Sequence, residues 1–144
     1  MAEIRQPQAG LTHSLELQPR FGDYDMFGHI NNNAYLQYFD LGKAMFFTEL
    51  LDGDFSPAAV GAAVVHIDCN YYAPTRPAEP LRVLTGCVAL GERSLTLHQQ
   101  VVNPSTGAVK CDALTVMAGF DIRTQHSAPL PERLRSLLGA LLRH

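Results

Sequence analysis

A chain of 144 residues, 47% of them hydrophobic, is long enough for one substantial core and too short to suggest two, so a single domain over residues 1–144 is expected. Its formal net charge of -3 supplies no overall basic field, which argues against nucleic acid as a partner. No run approaches the roughly 20 apolar residues of a membrane span, and the polar start from Met1 to Gly10 lacks the form of a signal segment, so a soluble, cytoplasmic protein without a membrane span is expected.

In chain order, residues 1–10, with Pro7 and Gly10, read as a loose terminus. Leu11, Leu15 and Leu17 partly alternate with polar neighbours, which predicts a first strand over residues 11–18. From residue 33 to 51 the period changes. Tyr35, Tyr38, Phe39, Gly42, Met45, Phe46, Glu49 and Leu50 recur at spacings of three and four, a mostly apolar helical stripe with Asn31, Asn32 and Asn33 as N-cap candidates. This helix is expected to be the centrepiece of the core. Gly42 inside it costs about 1 kcal/mol relative to alanine, so a close approach of other elements is expected there.

Four β-rich runs follow at residues 60–72, 81–90, 95–102 and 108–122, and the last three are separated by short turn segments at 91–93 and 104–107. Short connections imply antiparallel neighbours. Leu95, Leu97, Gln99 and Val101 alternate with Ser94, Thr96, His98 and Gln100, so one face is expected to be wet or to meet a subunit. His66 and Asp68 share a strand face and read as a polar face at a subunit contact rather than a pocket-lining pair. Pro131, as a first helical residue, and Leu134, Leu137, Leu138 and Leu141 predict a short amphipathic helix that packs rather than acts. Cys69, Cys87 and Cys111 are odd in number and widely spaced. They read as buried free thiols, with no metal site. The order of elements gives an α+β domain in which one sheet covers one long helix.

The stretch from Arg20 to Phe47 carries the chemistry. It sets two carboxylates, a glycine, a histidine and three asparagines just ahead of the helix start. A carboxylate there sits beside unpaired backbone N–H groups that can receive a developing oxyanion, which is half of an acyl-transfer site. The alternative from spacing alone is that Asp23 and Asp25 form turns and Asn31 to Asn33 cap the helix.

Asp23, Asp25, Gly28, Asn32, Tyr35 and Phe39 fall on a signature of Asp-x-Asp, a glycine three residues on, and an Asn/Tyr-rich helix start. In this the chain resembles the 4-hydroxybenzoyl-CoA thioesterase-like group of hotdog-fold acyl-CoA thioesterases. The run Gly28-His29-Ile30-Asn31-Asn32 is also similar to acyl-carrier-protein thioesterases, and weaker likeness continues through Tyr72-Ala73-Pro74, Gly91-Glu92-Arg93-Ser94 and Leu130-Pro131. The resemblance implies a hotdog fold, an antiparallel sheet wrapped around one long helix with a short C-terminal helix, and hydrolysis of acyl-CoA to a free acid and coenzyme A without a cofactor.

It further implies that Asp25 is the catalytic residue, as nucleophile or general base, with the oxyanion donor a backbone N–H near Asn32. His29 matches a histidine given a catalytic role in the carrier-protein enzymes, but the asparagine two residues earlier in their motif is Phe27 here. A loop histidine bonded to backbone is the alternative. Gly28 and Tyr35 fall at substrate-binding positions. Arg93 and Ser94 fall where family members contact the cofactor portion of the substrate, with Arg76, Arg82 and Lys110 as weaker candidates. A homodimer joined sheet edge to sheet edge, with each site at the interface, or a homotetramer, is the implied assembly. The competing classes are a hotdog hydratase and a non-catalytic acyl-binding protein.

Overall fold

The computed structural model describes residues 10–142, so most of the terminus expected to be loose lies outside the described residues. β1 (His13–Leu17) leads through a single 3-10 turn (Phe21–Asp23) to α1 (Asn32–Leu50). A four-residue helix, α2 (Pro57–Val60), precedes β2 (Ala62–Tyr71), β3 (Leu81–Leu90), β4 (Ser94–Val102) and β5 (Val109–Asp121). A two-residue strand, β6 (His126–Ser127), and α3 (Glu132–Leu142) complete the chain. The sheet runs in the order β1-β3-β4-β5-β2, every pairing antiparallel, with β6 attached to β5. This is the hotdog arrangement that the resemblance implied.

The inner face of the sheet is set by alternation. Leu81 and Val83 of β3, Leu95, Leu97 and Val101 of β4, and Cys111 and Ala113 of β5 are all buried against α1. The first half of α1 brings Ala34, Tyr35, Tyr38 and Phe39 to one cluster. Its second half brings Phe46 and Phe47, with the capping Leu51 just beyond, to another, which Leu134 and Leu138 of α3 close off. Gly42 lies where the helix crosses the sheet. A Cβ there would stand 2.8 and 2.9 Å from the two methyls of Val83 and 3.2 Å from Gln99 Nε2, so the expected close packing is what the structure shows.

Three expectations need correcting. The outer face of β4 is not wet at its centre: His98 and Gln100 are buried, and His98 Nε2 and Gln100 Nε2 each lie 2.7 Å from Asp112 Oδ2. The chain entering β1 crosses this face, since a side chain on Gly86, the residue opposite His98, would run into Gly10 and Leu11. The C-terminal helix begins at Glu132, one residue after Pro131, within the usual ambiguity of helix ends. Of the three free thiols, Cys87 and Cys111 are buried but Cys69 is only half-buried, its sulfur 3.4 Å from that of Cys111.

Candidate active site

The chemistry-bearing stretch folds as a miniature hairpin leading into α1. Tyr24 and Ile30 form an antiparallel bridge, the Asp25 N–H donates to His29 O at 2.8 Å, and the Gly28 N–H donates to Asp25 O at 3.0 Å. Asp25 therefore opens a tight turn with Met26 and Phe27 at its tip. Gly28 closes it at φ +74°, a left-handed conformation that glycine adopts without steric cost.

This geometry fixes the carboxylate of Asp25. Its Oδ1 accepts the N–H groups of Phe27 at 2.9 Å and His29 at 3.2 Å, and among the described residues its other oxygen has no partner. The helix start is prepared in a complementary way. The Asn31 side chain caps the N–H of Asn33 at 2.8 Å, and the Asn31 carbonyl accepts the N–H of Ala34 at 2.9 Å. The N–H of Asn32 is left unengaged among the described residues, at the positive end of a 19-residue helix.

Asp23 anchors the hairpin to the helix. It is buried, and its carboxylate accepts the Arg20 N–H at 2.8 Å, the Tyr38 hydroxyl at 2.7 Å and the Arg20 guanidinium at 3.2 Å, while its own carbonyl accepts the Asn31 N–H at 2.7 Å. Burial by itself would raise the pKa of this carboxyl, but the Arg20 backbone N–H, the Tyr38 hydroxyl and the Arg20 charge together hold it below the ordinary carboxylate value. A second anchor is Thr75, whose carbonyl accepts the Ile30 N–H at 3.0 Å and whose hydroxyl lies 2.7 Å from that of Tyr35. Burial foremost pushes the Tyr35 phenol up to about 12.

The structure thus brings Asp25, Gly28, His29, Asn32 and Tyr35 together. The Tyr35 ring is buried in the core with its hydroxyl already engaged by Thr75, and Asp25 meets the backbone of His29, with no contact to its ring among the described residues. A cleft of about 420 Å³, lined in part by Arg20, Asn33 and Gln37, runs beside the first turn of α1. Arg93 and Ser94 are elsewhere. Ser94 pairs with Ala118, whereas Tyr71, whose hydroxyl is 3.4 Å from Asn32 O, pairs with Cys111. Seven residues of β5 separate these positions, about 23 Å of strand, so within one chain the hairpin at 91–93 lies at the opposite end of the sheet from Asp25. Lys110 is committed to Glu79 Oε1 at 2.8 Å and Pro74 O at 3.0 Å, and Arg82 donates to Ser14 at 3.1 Å; Arg76 is exposed beside Thr75.

Arg20, Tyr38 and Thr75 were not singled out by the sequence. Tyr38 stands on the helical stripe as a core residue, and Thr75 is 40 residues from Tyr35, so no local pattern joins them. Arg20 donates its backbone N–H and its guanidinium to the Asp23 carboxylate three residues on, an arrangement that the Arg-x-x-Asp spacing alone does not announce.

A long helix wrapped by an antiparallel sheet, with an aspartate hairpin at the N-terminus of that helix, defines a hotdog-fold thioesterase-like protein. The chain belongs to the thioesterase-like superfamily, whose model matches residues 19–138. It is similar to a thioesterase from Thermus thermophilus, solved in complex with coenzyme A and Zn, at 26% identity and a TM-score of 0.82, covering 95% of this chain and 98% of that one. At 18% identity and a TM-score of 0.77 it shares the fold of Slr0204, a 1,4-dihydroxy-2-naphthoyl-CoA thioesterase from Synechocystis, covering 91% of this chain and 97% of that one. A curated relative, the uncharacterized protein YsmA of Bacillus subtilis, is 34% identical over 79 residues, 55% of this chain, and the chain spans only about half of that relative's length, 53%.

Proposed function

We propose that this protein hydrolyses an acyl-CoA thioester to the free carboxylic acid and coenzyme A, with Asp25 as nucleophile or general base and the Asn32 N–H as oxyanion donor. The observation that carries the proposal is the paired preparation of the two groups: one carboxylate oxygen of Asp25 is pinned by two backbone N–H groups while, among the described residues, the other is open and the neighbouring helix offers an unengaged N–H. Charge that develops on an attacked carbonyl would meet a fixed donor and a helix dipole, which need no reorganisation during the reaction. A thiolate leaves with little help from a general acid, so a site of one carboxylate and one backbone donor suits a thioester better than an amide. His29 is expected to contribute less than Asp25, because it is the backbone of His29 that Asp25 contacts. The bound coenzyme A of the Thermus thermophilus relative supports a CoA ester as the substrate class, and Arg20, which lines the cleft, and Arg76, next to Thr75, are exposed cations beside the hairpin.

The exposed edge of β2 supports the expected homodimer, joined edge to edge, since a long apolar edge strand left open is an aggregation hazard. Arg93 and Ser94 can then reach coenzyme A only from the partner subunit.

Thiol release from a panel of short, long and aromatic acyl-CoAs tests the proposal. Wild type is expected to release thiol from at least one member, and Asp25→Asn to lose that activity by about a thousandfold, the order of a lost nucleophile or base and some 4 kcal/mol of barrier. Release that survives the substitution would remove Asp25 from its role. No release from any acyl-CoA, but release from an acylated carrier protein, would move the substrate and keep the residue.

A further inference from the structure

Two of the three thiols meet where β2 passes the start of α1. Cys69 of β2 pairs in register with Ala113 of β5, and Cys111 pairs with Tyr71, so the two cysteines stand diagonally across one pair of strands. Both belong to the face that packs on the first half of α1, and their sulfurs are 3.4 Å apart. Cys111 is fully buried and Cys69 half-buried. The third thiol is separate: Cys87 lies in the core cluster at the second half of α1 and donates to Ala89 O at 3.4 Å. Diagonal neighbours have Cα atoms about 7–8 Å apart, just beyond the roughly 4.4–6.8 Å that a disulfide spans. Joining the two sulfurs therefore draws β2 toward β5, and β2, an edge strand held by the sheet on one side only, is free to move.

Such a movement acts on the helix start through Tyr71, which is two residues from Cys69 and opposite Cys111. Its hydroxyl donates to Asn32 O at 3.4 Å. Burial first, and then a hydrogen bond with Cys69, push its phenol up to about 12. Its ring centre lies 5.8 Å from that of Tyr35, whose hydroxyl meets Thr75, the residue whose carbonyl holds Ile30 at the end of the Asp25 hairpin. One short chain of contacts thus runs from the sulfurs to each half of the proposed site: to the residue that carries the oxyanion donor, and to the hairpin that carries the carboxylate.

We propose that Cys69 and Cys111 are a peroxide-oxidisable pair, and that their disulfide displaces Tyr71 and lowers turnover at the Asp25 site. The effect on turnover rests on the roles given above to Asp25 and the Asn32 N–H; the oxidation itself does not. The oxidant is a hydroperoxide, of which hydrogen peroxide is the smallest. Cys69, the half-buried thiol that solvent reaches, attacks as its thiolate. An S–O bond forms, the O–O bond breaks, and the departing hydroxide takes up the proton the thiol released and leaves as water. The resulting sulfenic acid already has the Cys111 sulfur beside it. Cys111 attacks the oxidised sulfur, the S–O bond breaks, and the Cys111 proton departs with the hydroxide as a second water. The two thiols lose two electrons and the peroxide gains them. Burial foremost holds the Cys111 thiol far above the ordinary thiol range, which suits it to resolve the sulfenic acid rather than to attack the peroxide.

Treatment of the intact protein with a small excess of hydrogen peroxide, followed by peptide mass mapping, reads the pair without any substrate. Wild type should lose the mass of two hydrogens and yield Cys69 linked to Cys111 within one chain, with Cys87 still open to a thiol reagent. Cys111→Ala should stop at a Cys69 sulfenic acid that dimedone traps, and Cys69→Ala, altered at a half-buried position, should show neither product. A link that includes Cys87 or joins two chains, or no link at all, overturns the pair. With no tryptophan and five tyrosines in the chain, near-ultraviolet circular dichroism follows the tyrosines. It should change on oxidation and return with dithiothreitol; a spectrum that ignores the disulfide overturns the displacement of Tyr71. Thioester hydrolysis, followed by thioester absorbance after the peroxide is removed, should fall about tenfold in oxidised wild type, since a misplacement of about 1 Å costs up to about a hundredfold. Dithiothreitol should restore it, and Cys69→Ala treated alike should keep its rate. Met26, 89% exposed beside Asp25, is also open to peroxide, but dithiothreitol does not reverse a methionine sulfoxide. A loss that Cys69→Ala shares, or that dithiothreitol leaves in place, therefore overturns the control of turnover by the pair. A wild type that forms the disulfide and shifts its tyrosine spectrum yet cleaves no acyl donor sinks the hydrolase reading and leaves the pair standing, and an active wild type that never forms the link does the reverse.

Discussion

Asp23 and Asp25 stand two residues apart and meet opposite environments, and the difference comes from where the backbone turns. Asp23 closes a 3-10 turn that points it under α1, where Tyr38 reaches it; Asp25 opens the next turn and, among the described residues, keeps one oxygen free. The Arg20 guanidinium is mostly exposed, so its ion pair adds little, and most of the hold on Asp23 comes from the Arg20 N–H and the Tyr38 hydroxyl. A carboxyl whose folded pKa is depressed binds fewer protons folded than unfolded. Its contribution to stability is therefore complete above the unfolded value near 4 and is lost as pH falls through that value and the folded one. Asp23→Asn is expected to cost about 2 kcal/mol at neutral pH and to flatten the decline of the urea midpoint as pH falls below about 4. A variant as stable as wild type at pH 7, with the same acid slope, would show that the anchor carries no weight. The Asp-x-Asp spacing was legible in the sequence, but which aspartate would be buried was not, because Tyr38 decides it from the other side of the hairpin.

The long helix was legible for a physical reason: both of its halves bury aromatic side chains against the sheet, so its apolar stripe recurs at helical spacing, and its cap asparagines stand one after another. The structure starts it at Asn32, one residue earlier than expected, with Asn31 as the cap. The strands at 81–90 and 95–102 were found within a residue because alternation survives wherever one face meets the helix. The short elements were missed. β6 is too brief for any period to show, whereas α2 carried a readable signal in Ser56, a side-chain cap, followed by Pro57 at the first helical position. Gly42 is where element-scale packing overrules local propensity. Alanine there would gain about 1 kcal/mol of helix propensity, but its methyl would press on the two γ-methyls of a fully buried, β-branched Val83, which has little rotamer freedom with which to yield. Overpacking of this kind costs roughly 1–3 kcal/mol. Gly42→Ala is therefore expected to lower the thermal midpoint by about 2–4 °C, and a midpoint above wild type would show that the helix can lift off β3 at no cost.

At the scale of the whole molecule, the sequence offered an expectation, a polar face at a subunit contact carrying His66 and Asp68, while the fold adds that β2 is an edge strand of the sheet and that Tyr71 reaches the start of α1. The proposed edge-to-edge homodimer can be tested through charge: in a β2 pairing about a two-fold axis on Ile67, each exposed His66 would stand opposite the partner's Asp68, and His66→Asp would set a carboxylate against that Asp68 twice in every interface. Like charges directly opposed cost up to about 1 kcal/mol each, so two such contacts are expected to weaken the dimer by roughly 5- to 30-fold in dissociation constant, with the loss shrinking as salt screens exposed charges. Adding Asp68→Lys to that variant restores opposite signs at both contacts in this register and in neither neighbouring one. Sedimentation equilibrium at low salt should accordingly show a weakened single variant and a double variant returned to wild-type affinity. A double variant no tighter than the single would place the two-fold axis away from Ile67.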